Sequence, residues 1–327
     1  MIFRCKNCGA NAVFSPEKQA MYCPYCDSID SEEIAAGEGM NFCINCGGEL
    51  HAGDYKSAVK CEHCGSYVIF EERTSGNYEP HLILPFKLGK KGAQELIKKE
   101  FGKKPFLPDD FLSEAKMSEM EGSYVPFFMY DYACRYQLNA QGKKVRTWRN
   151  GNTEYTETSI YDIYRDMDVD FEKIPVDASI AMNDEMMDLM EPYDYAALAD
   201  FQTKYMSGFL AEKNNMSAEE LETRARAKAK KDAEALMDET LTDYTAVTEK
   251  RQDLNLDRTQ TNYALLPVWS YTYTYKGQTY PFYINGQTGK MTGNPPISKA
   301  KVFGYGATVF LGLLAAGGLF NLILGVL

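Results

Sequence analysis

Eight of the nine cysteines in this chain fall before residue 65, and they come as four CxxC pairs. Cys5–Cys8 is followed by Cys23–Cys26, and Cys43–Cys46 by Cys61–Cys64, so each unit reads CxxC-x14-CxxC and every cysteine recurs 38 positions later. A CxxC knuckle offers two sulfurs to one ion, and two knuckles across a short hairpin complete a tetrahedral thiolate shell of the kind zinc prefers. The segment between the pairs, "AVFSPEKQAMY", has apolar arms around a polar Ser-Pro-Glu-Lys turn, which suits such a hairpin. The expectation is two structural zinc ions, one on Cys5, Cys8, Cys23 and Cys26 and the other on Cys43, Cys46, Cys61 and Cys64. The spacing alone leaves cross-pairing between the repeats open. A closed four-thiolate shell has no free position for substrate, so it stabilises a fold and does not catalyse. His51 and His63 read as spectators, because four sulfurs already suffice.

The opening "MIFRCKNCGA" has no apolar run, so it does not read as a secretory signal. Paired thiols in an unsecreted chain point to metal binding in a reducing compartment rather than to disulfides. At the other end, Val302 to Leu327 contains no charged side chain. As a helix this run would extend about 39 Å, more than the roughly 30 Å hydrocarbon core of a bilayer. Lys299 and Lys301 precede it and no base follows, which keeps the bulk of the chain in the cytoplasm by the positive-inside rule. The chain thus reads as a tail-anchored, single-pass protein of the cell membrane. Thr308, Gly312 and Ala316 form a stripe of small residues, and Asn321 places an amide in lipid. Both suit homo- or hetero-oligomeric helix pairing within the membrane.

Between these ends the composition is that of a packed domain. "GAQELIKKEF" has a helical period, with Leu96, Ile97 and Phe101 on one side. The stretch from Gly122 to Phe171 is aromatic, β-prone and broken by Gln-Gly and Asn-Gly, as in an antiparallel meander of long strands. Helices are expected over residues 190–212 and 217–241, the second opened by a Ser217–Glu220 capping box. Strands return from Thr259, with turns at Lys276-Gly277 and Asn285-Gly286. The fold class is α+β, arranged as a zinc ribbon over 1–30 and a second over 39–74. A mixed domain with long antiparallel strands over 80–296 and a transmembrane helix over 302–327 complete it. "DSIDSEEIAAGEGMN" reads as the linker between the ribbons.

Enzyme chemistry finds little footing. There is no HExxH, G-x-S-x-G or Walker A pattern, and only three histidines. Asp166, Asp168 and Asp170 alternate along a strand and read as a polar face, with a cation site as the minor alternative. Cys134 reads as a buried small apolar residue. Net charge is −11, and residues 1–75 hold six Lys and Arg against eleven Asp and Glu. Nucleic-acid affinity comes mainly from neutralising phosphates, so nucleic acid is an unlikely ligand. The basic stretches between Lys90 and Arg149 keep a membrane-associated nucleic-acid-binding protein, related to replication or transcription, as the alternative function.

Together "LPFK", "FLPDDF", "GSYVPFFMYD", "EPYDYAAL", "LLPVWSYTYTYKGQTYPFYINGQTGKMTGNPP", the cysteine pairs and the apolar tail resemble one family. It comprises bacterial membrane-anchored zinc-ribbon proteins of low-GC Gram-positive bacteria. Members are often labelled transcription-factor-type zinc-ribbon, primosomal-helicase-like or phage-replication proteins. The resemblance covers nearly the whole chain. It implies an envelope-stress role, with membrane proteins and phage-shock-type coiled-coil or flotillin-like proteins as partners. A helicase activity is not carried over, since no nucleotide-binding motif is present. Many members have CPxCG knuckles, whereas here only Cys23–Cys26 holds a proline and Asp27 stands in place of the glycine. Full-length protein is expected to sediment with membranes and resist carbonate extraction, and a chain stopped before Val302 to appear in the soluble fraction.

Overall fold

The computed structural model describes residues 1–37 and 41–324, with side chains to Gly317. The first ribbon contains β1 (Ile2–Cys5), β2 (Val13–Ser15), β3 (Ala20–Tyr22) and β4 (Glu32–Ala35), and the second contains β5 (Lys56–Lys60) and β6 (Tyr67–Ile69). The rest follows as β7 (Leu82–Ile83), α1 (Lys90–Phe101), α2 (Glu114–Ser118), β8 (Glu121–Asn150), β9 (Thr153–Asp177), α3 (Asp184–Leu189), β10 (Ala199–Asp200) and β11 (Leu210–Glu212). The chain continues with α4 (Ala218–Glu239), β12 (Ala246–Tyr275), β13 (Gln278–Asn285), β14 (Met291–Thr292) and α5 (Lys299–Leu324). The architecture is α+β: two tandem four-cysteine clusters, a sheet of long strands and one C-terminal apolar helix.

β8 and β12 form the centre of a ten-stranded sheet and run antiparallel, with bulges between Glu249 and Arg251 and between Arg258 and Gln260. At 30 residues each, they would reach about 100 Å if straight. β9 covers the free edge of β8, while β13 and the short β7 share the other edge of β12. A two-residue Gly151-Asn152 turn joins β8 to β9, with Gly151 at φ 61°.

Strand alternation explains how α4 seats on this ribbon of strands. Tyr130, Tyr132, Cys134, Tyr136, Leu138 and Ala140 point to one face and are buried, while the odd-numbered residues between them, Asp131 to Asn139, are partly or fully exposed. α4 meets that face with Leu221, Ala225, Ala229, Ala233 and Met237, which recur every four residues and form a single stripe. Three alanines in the stripe let the helix axis approach the tyrosine rings closely. The capping box at its start is complete: the Ser217 hydroxyl accepts from the Glu220 amide, and the Glu220 carboxylate accepts from the Ser217 amide. An ion-pair cluster ties α4 to α3 and the end of β9. Arg224 reaches Asp177 and Asp188 at 2.8 Å each, and Lys228 reaches Asp188 and Glu191. Burial holds the Asp177 and Glu191 carboxyls above their usual range despite these partners.

Three expectations need correcting. Residues 190–212 are not one helix: after α3 come short 3-10 turns, β10 and β11. The segment's apolar residues divide between two clusters of the core, Tyr193 in one and Met206 and Phe209 in the other, so its face is not continuous. The linker between the ribbons is not free. Glu32–Ala35 pairs antiparallel with Ile2–Cys5 and closes the first ribbon. β12 begins at Ala246, well before Thr259, because the polar "TEKRQDLNLDRTQ" has one edge paired to β8 along its length. A ladder of backbone bonds holds it where no apolar alternation shows.

The ribbons are welded to the domain. Ile2 lies in a core with Cys43, Cys61, Val68 and Phe70 of the second ribbon. The Phe14 amide donates to the Ser207 carbonyl, and the Phe14 ring meets Tyr205 edge-on at 5.1 Å. β5 pairs with β11, which makes the second ribbon part of the main sheet. Replacing Ala229, fully buried on the inner face of α4, by leucine is expected to cost about 1–3 kcal/mol through overpacking. A urea melt would register this as a lower midpoint at unchanged slope.

Candidate metal centres

Each of the four knuckles is built by the same backbone device. The residue after the second cysteine sits in the left-handed region: Gly9 at φ 73°, Asp27 at 59°, Gly47 at 71° and Gly65 at 75°. Its amide donates to the carbonyl of the first cysteine of the pair, at 2.7–2.9 Å in all four. The first cysteine's own amide donates to the carbonyl five residues on, namely Ala10, Ser28, Gly48 and Ser66. Asp27 therefore occupies the glycine position without a glycine. Asp tolerates this conformation through local hydrogen bonding, and its carboxylate accepts from the Tyr22 hydroxyl.

The sulfurs converge within each repeat and not between repeats. Cys5, Cys8, Cys23 and Cys26 form one cluster, and Cys43, Cys46, Cys61 and Cys64 form the other. Sulfur–sulfur separations are 3.6 Å for Cys5–Cys26, 3.5 Å for Cys8–Cys23, 3.6 Å for Cys43–Cys64 and 3.8 Å for Cys46–Cys61. Four sulfurs about 2.3 Å from a tetrahedral ion would lie about 3.8 Å apart, so both clusters have the size of a thiolate-bound zinc or a similar thiophilic metal. In each pair the first cysteine is buried and the second exposed, which anchors one sulfur in the core and leaves the other at the surface. His51 and His63 belong to neither cluster. The His63 ring lies against Gly48, leaving no room for a side chain there.

The 38-residue period extends beyond the cysteines. Ser28 and Ser66 place their hydroxyls 3.0 and 3.1 Å from the sulfurs of Cys26 and Cys64. Asn7 and Asn45, inside the first knuckle of each repeat, hold those serines by side-chain hydrogen bonds of 2.7 and 3.1 Å. The Ser28 hydroxyl and amide bring the Cys26 thiol down to about 6. At Cys64 burial works upward, yet the Ser66 hydroxyl and amide still leave it at about 6. Burial raises Cys43 to about 12. Each set thus holds at least one sulfur whose surroundings favour the thiolate that a metal needs. Reading the cysteines alone misses these two Asn–Ser pairs. Aligning the repeats at 38 residues would have revealed them.

The other sequence candidates do different work. Asp166 accepts from Arg135, Gln137 and Tyr164, and Asp168 lies 4.0 Å from the Arg135 guanidinium, so the acidic strand is bound up with a cation of its own sheet. Cys134 is buried in the face under α4. In the basic stretches, Lys90 donates to the Ser118 carbonyl, Lys144 pairs with Asp243 and Arg149 with Glu154.

At the C-terminus, Lys299–Gly317 is long and apolar enough to cross a membrane, and none of it is buried against the protein. The Thr308 hydroxyl donates to the Gly304 carbonyl within the helix. The Asn321 side chain and residues 325–327 lie outside the described residues, as do Gly39 and Met40 at the start of the expected second ribbon.

Two fused four-cysteine ribbons on an α+β domain with one apolar terminal helix define the class of protein. The chain is 35% identical over 335 residues to the Bacillus subtilis (strain 168) protein named "Uncharacterized protein YdjG", covering 99% of this chain and 98% of that one. It belongs to that protein's family. No protein-family model matches it, and neither does any solved structure.

Purified protein is expected to carry two equivalents of thiophilic metal by elemental analysis, and Cys23→Ser to lose one. Ser66→Ala should weaken retention at the second site by about 10–100-fold, as loss of an outer-shell partner does. Competition with a chromogenic chelator would measure it. Retention should fall as pH falls, because protons compete with metal for the thiolates.

Proposed function

We propose that the protein is a membrane-tethered scaffold that docks partner proteins at the cytoplasmic face of the membrane. In this reading both clusters hold structural zinc, α5 is the single-pass anchor, and the ribbons present the docking surface. One observation carries it. Tyr25 is 79% exposed and Phe42 60%, one beside each ribbon's metal cluster, and Ile29 and Ile34 are also bare. A closed thiolate shell does no chemistry of its own, so apolar side chains held out by rigid knuckles favour contact with another protein.

Lys299 and Lys301 ahead of the apolar run favour a cytoplasmic domain, as do unpaired thiols. The resemblance to membrane-anchored zinc-ribbon proteins points to membrane proteins and phage-shock-type coiled-coil or flotillin-like proteins as partners, in an envelope-stress response. That Lys144 and Arg149 are already paired with acids of their own domain weighs against phosphate binding there.

The test is affinity purification of the tagged full-length chain from detergent-solubilised, nuclease-treated membranes, with co-purifying proteins identified by mass spectrometry. Coiled-coil stress or flotillin-like proteins should be recovered with the native chain and lost with Tyr25→Ser/Phe42→Ser, while that variant keeps both metal equivalents. Recovery of replication or transcription machinery instead would overturn the proposal in favour of a nucleic-acid role.

A further inference from the structure

Between the C-terminal end of α1 and the segment from Gly289 to Gly293 lies an open cleft of about 620 Å³, a volume within the usual range of small-ligand sites. Lys99 from α1 and Lys103 and Lys104 from the turn after it line the cleft, and Leu96 and Met291 give it apolar walls. The acid among its lining residues, Glu100, pairs with Lys104 at 3.3 Å. Among the described residues, Lys99 and Lys103 have no carboxylate within ion-pair distance. Two uncompensated ammonium groups beside a third paired with Glu100 stand out in a chain with a net charge of −11. Together they give the cleft an excess of positive charge.

Its position narrows the choice of anion. Gly293 lies in its lining, and Pro295, Pro296 and then α5 at Lys299 follow. On the other side, Lys104 is two residues from Phe106. The Phe106 carbonyl accepts from the Ser298 amide at 2.7 Å, and its ring meets Tyr305 of α5 edge-on at 5.5 Å. Lys301 is bound to Asp109 at 2.6 Å. These contacts tie the segment directly after Lys104 to the first turns of the helix, so the cleft lysines stand a few residues from where phospholipid headgroups would lie if α5 spans a bilayer. Lysine is an effective point-charge binder of phosphate, and Leu96 and Met291 suit the carbon backbone next to it.

We propose that this cleft binds the phosphate-bearing headgroup of an anionic phospholipid in the leaflet that α5 enters. The inference rests on the membrane placement of α5 given above and is independent of any protein partner.

The full-length protein would be placed in nanodiscs of phosphatidylcholine alone, of phosphatidylcholine with phosphatidylglycerol, and of phosphatidylcholine with added inorganic phosphate. Lysine acetylation rates would be read by mass spectrometry. With phosphatidylglycerol, Lys99, Lys103 and Lys104 should be modified several-fold more slowly, and Lys143 and Lys144, far along β8, at an unchanged rate. Lys99→Gln/Lys103→Gln/Lys104→Gln should co-purify with less phosphatidylglycerol than the native chain. Protection by inorganic phosphate in neutral discs, with no added effect of phosphatidylglycerol, would overturn the lipid in favour of a soluble phosphate compound. Equal rates in all three conditions, or equal protection of Lys143 and Lys144, would overturn the cleft as a site. Failure of the chain to enter nanodiscs would overturn the membrane placement, and the phosphate titration in detergent would then still test whether the cleft binds anions.

Discussion

Nearly every part of this molecule is attached to the antiparallel pairing of β8 with β12, which runs unbroken in direction from Glu121 opposite Ser270 to Lys143 opposite Ala246. One end of the pair lies deep in the aromatic core, where Tyr124, Trp269, Phe86 and Phe209 pack ring to ring. Toward the other end the two strands, widened by β9, form a platform for α4. Long two-stranded ribbons are weak by themselves. Here tyrosines and small residues on one face, matched to an alanine stripe on a helix, supply the burial that the extended part would otherwise lack.

The same sheet explains why the ribbons are not loose modules. Small metal domains of this size bury little apolar surface alone and depend on their ion for folding. In this chain the first ribbon adds Phe3, Phe14 and Met21 to the central core, and the second adds two strands, β5 and β6, to the sheet itself. Metal loss would therefore disturb the knuckles first, while Ile2, Val68 and Phe70 continue to pack between the ribbons. The cysteine turns are held in place by these contacts, so Tyr25 and Phe42 stand at defined positions on the surface.

The longest stretch shared with the resembling family serves the scaffold. In "NGQTG", Asn285 is fully buried; its amide donates to the Met190 carbonyl, and its oxygen accepts from the amides of Gln287 and Thr288. A side chain at Gly286 would strike the Phe86 ring and Pro267. These residues close a loop over the core, with no ligand role needed to explain them.

The two four-cysteine clusters, the fold class, the α4 helix with its cap and the apolar terminal segment were all legible in the sequence. Each is a local pattern: a spacing of two, a period of four, a run without charge. The chain order of the cysteines left their grouping open, and only the fold shows that each repeat closes on itself, because the hairpin brings its own knuckles together. Sequence reading also missed the strands at Glu32–Ala35 and Ala246–Arg258 and the path from Met190 to Glu212, which holds short 3-10 turns and strands but no α-helix. In the two strands, backbone pairing to a distant segment outweighs weak local preference; in the path, apolar residues divide between two cores. The cleft at the end of α1 is tertiary for the same reason. Lys99 and Met291 are far apart in the chain, and they line one cleft because α1 and the β14 segment pack against the same core.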